Sequence, residues 1–122
     1  MTFDLGPYFD RDGTLVPYRV VVPEQVETRD QGKCQRCGRA GKDAHHRKPK
    51  ARGGPDRFDN LIYLCRSCHD WAHDDLDAEF DGYLIPSHVP DGEIADVPVF
   101  YFDRDSRVRL GPDGTVNDLE AA

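Results

Sequence analysis

Two Cys-x-x-Cys knuckles, Cys34–Cys37 and Cys65–Cys68, constrain this chain more than any other feature. They hold all four of its cysteines. A chain of 122 residues that is 38% hydrophobic, with nine prolines and eleven glycines, is expected to form one domain with a small core. A metal staple is the usual remedy for such a core. Four thiolates in tetrahedral array suit Zn²⁺ and leave no open coordination position, which predicts a closed, structural site. Zinc bound in this way contributes about 10–16 kcal/mol, comparable with the whole stability of an ordinary domain. The N-terminus shows neither a basic n-region nor an apolar h-region, and no run of about 18 apolar residues occurs, so neither a secretory signal nor a membrane span is expected. The setting expected is cytoplasmic and reducing, where paired thiols serve as metal ligands rather than disulfides.

The 27 residues between the knuckles exceed ordinary zinc-ribbon spacing, so a functional insert is expected there. It contains His45-His46, Gly53-Gly54 and Asn60, and His69 and His73 follow on the second knuckle. The local pattern predicts a short strand over Tyr18–Val22, a helix from Pro23 to about Arg29, and a turn at 30–33 that delivers Cys34. A two-stranded ribbon is predicted between Ala44 and Leu64, with a long basic loop from Pro49 to Asp59. A helix is predicted to start at Ser67, capped by Ser67-x-x-Asp70, and to end near Asp81, with Gly82 in the left-handed position. On it His69, His73, Leu76 and Phe80 share one face. Strand-like runs at Tyr83–Ile85, 97–102 and Arg107–Leu110 predict an appended C-terminal β-hairpin. The class is therefore α+β, divided as an N-terminal arm with a short strand and helix (1–28), a central domain (29–82) and the hairpin extension (83–122).

The net charge of −7 argues against a polyanionic partner, but its distribution reverses that reading. Between Gln31 and Asp75 ten Lys/Arg face six Asp, and the excess of acid lies in the flanks. Arg47, Lys48, Lys50, Arg52 and Arg57 surround Gly53-Gly54, where basic side chains can pair phosphates and glycines let backbone approach closely. Three to five such contacts predict a salt slope of roughly −3 to −5 in log affinity. Trp71 and Tyr63 are read as packing residues, and His88 as structural.

His69 and His73, one helical turn apart, can ligate one cation. His45 and His46, adjacent on a strand, point to opposite sides and so have different roles. These residues together, Cys-x-x-Cys, His-His, Gly-Gly, Asn-Leu, Cys-x-x-Cys-His and a final His, closely resemble the zinc-ribbon type of HNH (His-Asn-His) endonucleases, including phage and actinobacterial members. The resemblance is specific from about Arg29 to His73. It implies a small ββα-metal (His-Me finger) fold around the four-Cys zinc. It implies His46 as general base, His45, His69 and His73 as ligands of the catalytic cation, and Asn60 as the residue that braces the loop and orients the base. Many members have Asp where His45 stands; the colicin-type nucleases have His.

The chemistry is coherent beside the resemblance. A neutral imidazole takes a proton from water near neutral pH, and a cation with open positions stabilises a developing alkoxide. One-metal hydrolysis of DNA to 5′-phosphate and 3′-hydroxyl ends follows by implication, with Mg²⁺, Mn²⁺, Ni²⁺ or Zn²⁺ as the cation. The alternatives are a non-catalytic zinc-ribbon module that binds nucleic acid, or a nuclease subunit active only with a partner, such as a phage packaging or terminase protein.

Overall fold

The computed structural model describes residues 8–9, 15–16 and 21–119. Two short strands, β1 (Tyr8–Phe9) and β2 (Leu15–Val16), pair antiparallel. The rest of the arm and most of the strand expected over Tyr18–Val22 lie outside the described residues.

Helix α1 (Pro23–Arg29) begins at a proline whose fixed φ suits the first turn. The Val22 backbone N–H, otherwise without a partner, donates to Gln25 Oε1 at 2.9 Å. Val26 is fully buried in a small cluster with Val21, Phe58, Leu61 and Tyr63, and such burial contributes about 1.5–3 kcal/mol. The helix runs into a turn in which Gln31 and Gly32 take positive φ, as expected for the segment that delivers the first knuckle. Asp30 fixes this turn. Its buried carboxylate accepts from Arg29 (2.8 and 3.0 Å), from the Tyr63 backbone N–H at 2.9 Å and from the Tyr101 hydroxyl.

The ribbon is β3 (Asp43–His46) against β4 (Leu61–Leu64), antiparallel, with His45 opposite Ile62 and His46 opposite Leu61. All of β4 is buried, which explains why its sequence is uniformly apolar rather than alternating. The helix that follows departs from expectation. It starts one residue earlier, as α2 (Arg66–Asp74), and Ser67 does not cap it; Cys65 occupies the capping position. It also stops early. Asp75 is extended (φ −92°, ψ 134°), and its carboxylate accepts from the Asp77 N–H at 2.8 Å to start a new helix, α3 (Leu76–Phe80). An Asp that caps competes with continued helix, and the break takes Leu76 and Phe80 off the histidine face. They are 86% and 73% exposed.

Helix α3 closes on Gly82 at φ +88°, with Tyr83 N–H donating to Ala78 O and Gly82 N–H to Glu79 O, the paired bonds of a Schellman cap. Tyr83–Ile85 forms no strand; the segment instead lays backbone groups against the ribbon, Ile85 N–H donating to Arg47 O at 2.8 Å. The C-terminal sheet has three strands rather than a hairpin alone: β5 (Val99–Tyr101), β6 (Ser106–Leu110) and β7 (Val116–Asp118), in that order. Val99, Tyr101, Val108 and Leu110 share one core with Cys34, Ile62, Leu64 and Cys68. The extension is thus packed into the metal-binding part through common apolar contacts. No helix among the described residues is long and apolar enough to cross a membrane.

Candidate active site

Two clusters of side chains that could hold a metal ion stand on the first knuckle, the ribbon and α2 with its capping residue. In the first, the sulfurs of Cys34, Cys37, Cys65 and Cys68 all lie within 4.8 Å of one another. Cys37 and Cys65 are 3.8 Å apart. A disulfide would require about 2.05 Å, whereas the edge of a tetrahedron with metal–sulfur bonds of about 2.3 Å is about 3.8 Å. All four thiols are free. Burial pushes the Cys65 thiol up, but the Ser67 hydroxyl and Cys68 hydrogen bonds outweigh it and bring it down to about 6. Burial holds Cys68 up at about 12, against the pull of Arg36. Four sulfurs this close cannot all ionise alone, and a cation among them removes that conflict. The donor set therefore fits a metal ion. Arg36 donates to Cys68 Sγ at 3.4 Å and stacks 3.5 Å over the Trp71 ring, which places Trp71 in the packing around the cysteines.

The second cluster joins His45 from β3 to His69 and His73 from α2. One ring nitrogen of each lies within 4.8 Å of the others, and the ring centres are 4.8–5.4 Å apart. Like imidazoles collected this closely repel once protonated, so the cluster is suited to a cation only when neutral. His45 shows how its neutrality is arranged. Its Nε2 lies 2.6 Å from the Tyr83 carbonyl, which can only accept, so Nε2 carries the hydrogen. The lone pair is left on Nδ1, which is buried with no hydrogen-bond partner. Burial, then the neighbouring imidazoles, outweigh the carbonyl's effect and lower the His45 pKa to about 4. A buried, unpartnered nitrogen is ordinarily destabilising; a ligand atom facing a cation is not. His69 is oriented by Asp43, whose Oδ2 lies 3.1 Å from Nδ1. A carboxylate behind a ligating imidazole fixes its tautomer and raises its basicity. Nothing in the sequence pattern marked Asp43 for this role; its position one strand alternation before His45 was the available signal.

His46, on the other side of β3, is half-buried, and its Nε2 lies 2.7 Å from Asp56 Oδ1. The sequence pattern does not mark Asp56 either. Asn60 is fully buried. Its Oδ1 accepts from the Lys48 N–H at 2.7 Å, and its Nδ2 donates to the Lys48 and Pro55 carbonyls at 3.1 and 3.0 Å. It ties the two ends of the loop together. Gly54 crosses so near Lys48 that a Cβ would lie 1.8 Å from its carbonyl oxygen, and Gly53 takes φ +83°. The glycine pair thus serves the loop's own closure.

The five basic residues separate. Arg47 is fully buried, donating through Nε to Gly82 O (2.8 Å), and through its terminal nitrogens to Asp59 O (2.8 Å) and Val97 O (2.6 Å). Lys48 is buried and donates to Val89 O and Asp91. Arg57 is buried and paired with Asp59. These three side chains point inward, because the chain's return through 82–98 offers carbonyls and carboxylates that a sequence reading of the loop alone does not reveal. Lys50 and Arg52 are exposed.

A two-stranded ribbon followed by a helix, carrying one four-thiol and one three-imidazole cluster, defines a small α+β metal-binding domain. Residues 34–75 match the family model described as HNH endonuclease. The comparisons with curated proteins and with solved structures found no match.

Proposed function

We propose that the chain is a metal-dependent DNA endonuclease in which His46 is the general base and His45, His69 and His73 hold the catalytic cation. The observation that carries this reading is His45 Nδ1, a buried lone pair with no protein partner, gathered with two further imidazoles. A binding module has no use for such an arrangement. Zn²⁺ is the ion proposed for the four cysteines, in keeping with their all-thiolate set and spacing; Mg²⁺, Mn²⁺, Ni²⁺ or Zn²⁺ is proposed for the histidines. When bound there, the cation supplies Lewis-acid stabilisation of the charge that develops on the leaving oxygen.

The rest is the work of the chain's own groups. His46 Nδ1 takes a proton from water as the water oxygen bonds to phosphorus. The bond from phosphorus to O3′ breaks, leaving a 5′-phosphate, and the 3′-oxygen gains a proton from solvent. Asn60 keeps the 48–60 loop closed beside the base. Residues 29–82 form the nuclease unit in this reading, with 83–122 as an extension whose strands complete its core. With only Lys50 and Arg52 exposed among the loop's five basic residues, the loop's own hold on DNA is weak, which favours the form of this reading in which a partner protein brings the nuclease to its substrate.

The test incubates supercoiled plasmid with chelator-treated protein, restores one cation at a time, and repeats the series with His46→Ala. Cutting by the native chain and none by the variant, with cysteine-bound metal retained, supports the proposal. Cutting by His46→Ala removes His46 as the base. No cutting with any cation, alongside retained DNA binding, replaces the nuclease with a zinc-ribbon binding module.

A further inference from the structure

Asn60 is the residue expected to orient the base, yet its side-chain hydrogen bonds go to Lys48 and Pro55. What meets the His46 ring is Asp56, one residue beyond the Pro55 carbonyl that Asn60 holds. We infer that Asp56 is the positioning residue of the base, and that Asn60 acts on His46 through it.

The geometry has three parts. The Asp56 carboxylate oxygen accepts from His46 Nε2 at 2.7 Å, which places the ring hydrogen on Nε2 and leaves the lone pair on Nδ1. Asp56 is held on both sides. Its own carbonyl accepts from the Val21 N–H at 2.8 Å, tying it to the segment that leads into α1, and the preceding residue is clamped by Asn60 Nδ2 at 3.0 Å. The ring is held in turn by the ribbon, where His46 pairs with Leu61 and the Arg47 N–H donates to Asn60 O at 2.8 Å. One asparagine thus fixes both the strand end that carries the base and the loop that carries its acceptor.

A base whose lone pair sits on the wrong nitrogen cannot take the proton, however well the strand is placed. A carboxylate behind the ring selects the tautomer and the ring's rotation, as second-layer carboxylates do for other imidazoles. This role is distinct from that of Asp43, which stands behind His69 on the cation side.

The inference rests on the assignment of His46 as base, but its first test does not. The ring ¹⁵N shifts of the full chain labelled at histidine, recorded with zinc bound and His46 neutral, report the tautomer directly. The Nε2–H form is expected for the native chain, and a mixture of forms for Asp56→Ala. If the Ala variant fails to fold, Asp56→Leu keeps the side-chain bulk without an acceptor and carries the same expectation. In the plasmid assay with Mg²⁺, Mn²⁺, Ni²⁺ or Zn²⁺, whichever supports native cutting, Asp56→Ala is expected to slow cleavage at saturating DNA about 10- to 100-fold. The DNA concentration giving half the maximal rate should stay unchanged, and Asp56→Glu should restore part of the rate. A native Nδ1–H tautomer, or native cutting by Asp56→Ala where His46→Ala is inactive, overturns the inference. If His46→Ala itself cuts, the base assignment falls instead, and the tautomer measurement alone decides whether Asp56 sets the ring.

Discussion

Replacing Arg47 with Ala separates the two roles the residue can be given, a phosphate contact or an interior clamp. The guanidinium makes three short hydrogen bonds to the Gly82, Asp59 and Val97 carbonyls. Losing a bond to a charged donor in a buried place destabilises by about 1.5–3 kcal/mol, so three amount to about 6 kcal/mol. Against this stands relief of the buried charge. Burial lowers the Arg47 pKa from 12.5 to about 10, so the charged form is disfavoured by about 3 kcal/mol. The net expected loss is about 3 kcal/mol, a large part of the 5–15 kcal/mol that holds a typical domain together. Urea unfolding of the zinc-loaded chain followed by circular dichroism measures it, as a lower midpoint with unchanged slope. Arg47→Lys keeps the charge but not the fork, and should fall between. An unchanged midpoint together with lost DNA affinity would refute the clamp and restore Arg47 as a phosphate contact.

Three further outcomes are expected. Removing metal from the cysteines with a chelator should unfold the chain to a large degree, read as loss of helical signal that returns with Zn²⁺, because binding and folding are one equilibrium in such sites. In protein with zinc at the cysteines and no cation at the histidines, His45 should make stability fall in acid. Its folded pKa of about 4 lies below the ordinary 6.5, so the unfolded chain binds the proton first; stability is full above pH 6.5 and declines by about 3 kcal/mol as pH drops towards 4, as unfolding midpoints across that window would show. With Lys50 and Arg52 as the exposed cations of the loop, the salt slope of DNA affinity should be about −2 if the loop alone contacts phosphate; a slope near −5 in fluorescence anisotropy would mean that further cations, such as the exposed Arg39, Lys42 and Arg66, join the contact.

The parts legible in the sequence are those whose cause is local. Pro23 and the α1 span, the 30–33 turn, the ribbon, the knuckles and the Gly82 cap follow from spacing and backbone preference, and the structure has them. Helical periodicity pairs His69 with His73 and strand alternation parts His45 from His46, but that His45 is the one to join them was implied only by the resemblance to HNH endonucleases. What the sequence did not show depends on groups far apart in the chain. Arg47 looks like a loop cation until the carbonyls of residues 82 and 97 arrive. Asp43 and Asp56 look like ordinary solvated carboxylates until the rings of His69 and His46 stand beside them. The helix break at Asp75 is a contest between apolar periodicity, which favours one long helix, and a capping side chain, which wins.

These long-range contacts also explain why staple and reactive cluster belong to one cooperative unit. Cys65 opens α2, Cys68 lies in its first turn, and His69 and His73 follow on the same helix, so a metal ion held by the thiols would set the position of two imidazoles. The third, His45, owes its tautomer to the Tyr83 carbonyl, and the backbone around Tyr83 is held to the ribbon by the Arg47 guanidinium on Gly82 O and by the Ile85 N–H on Arg47 O. The four-cysteine cluster therefore governs one side of the histidine cluster and Arg47 the other. Loosening either side would spread three ring nitrogens that now lie within 4.8 Å, and a cation held by all three would lose a ligand. Affinity of the histidine cluster for its cation should accordingly fall in Arg47→Lys even under conditions where that variant remains folded, which ties a residue chosen by sequence for DNA contact to the metal chemistry instead.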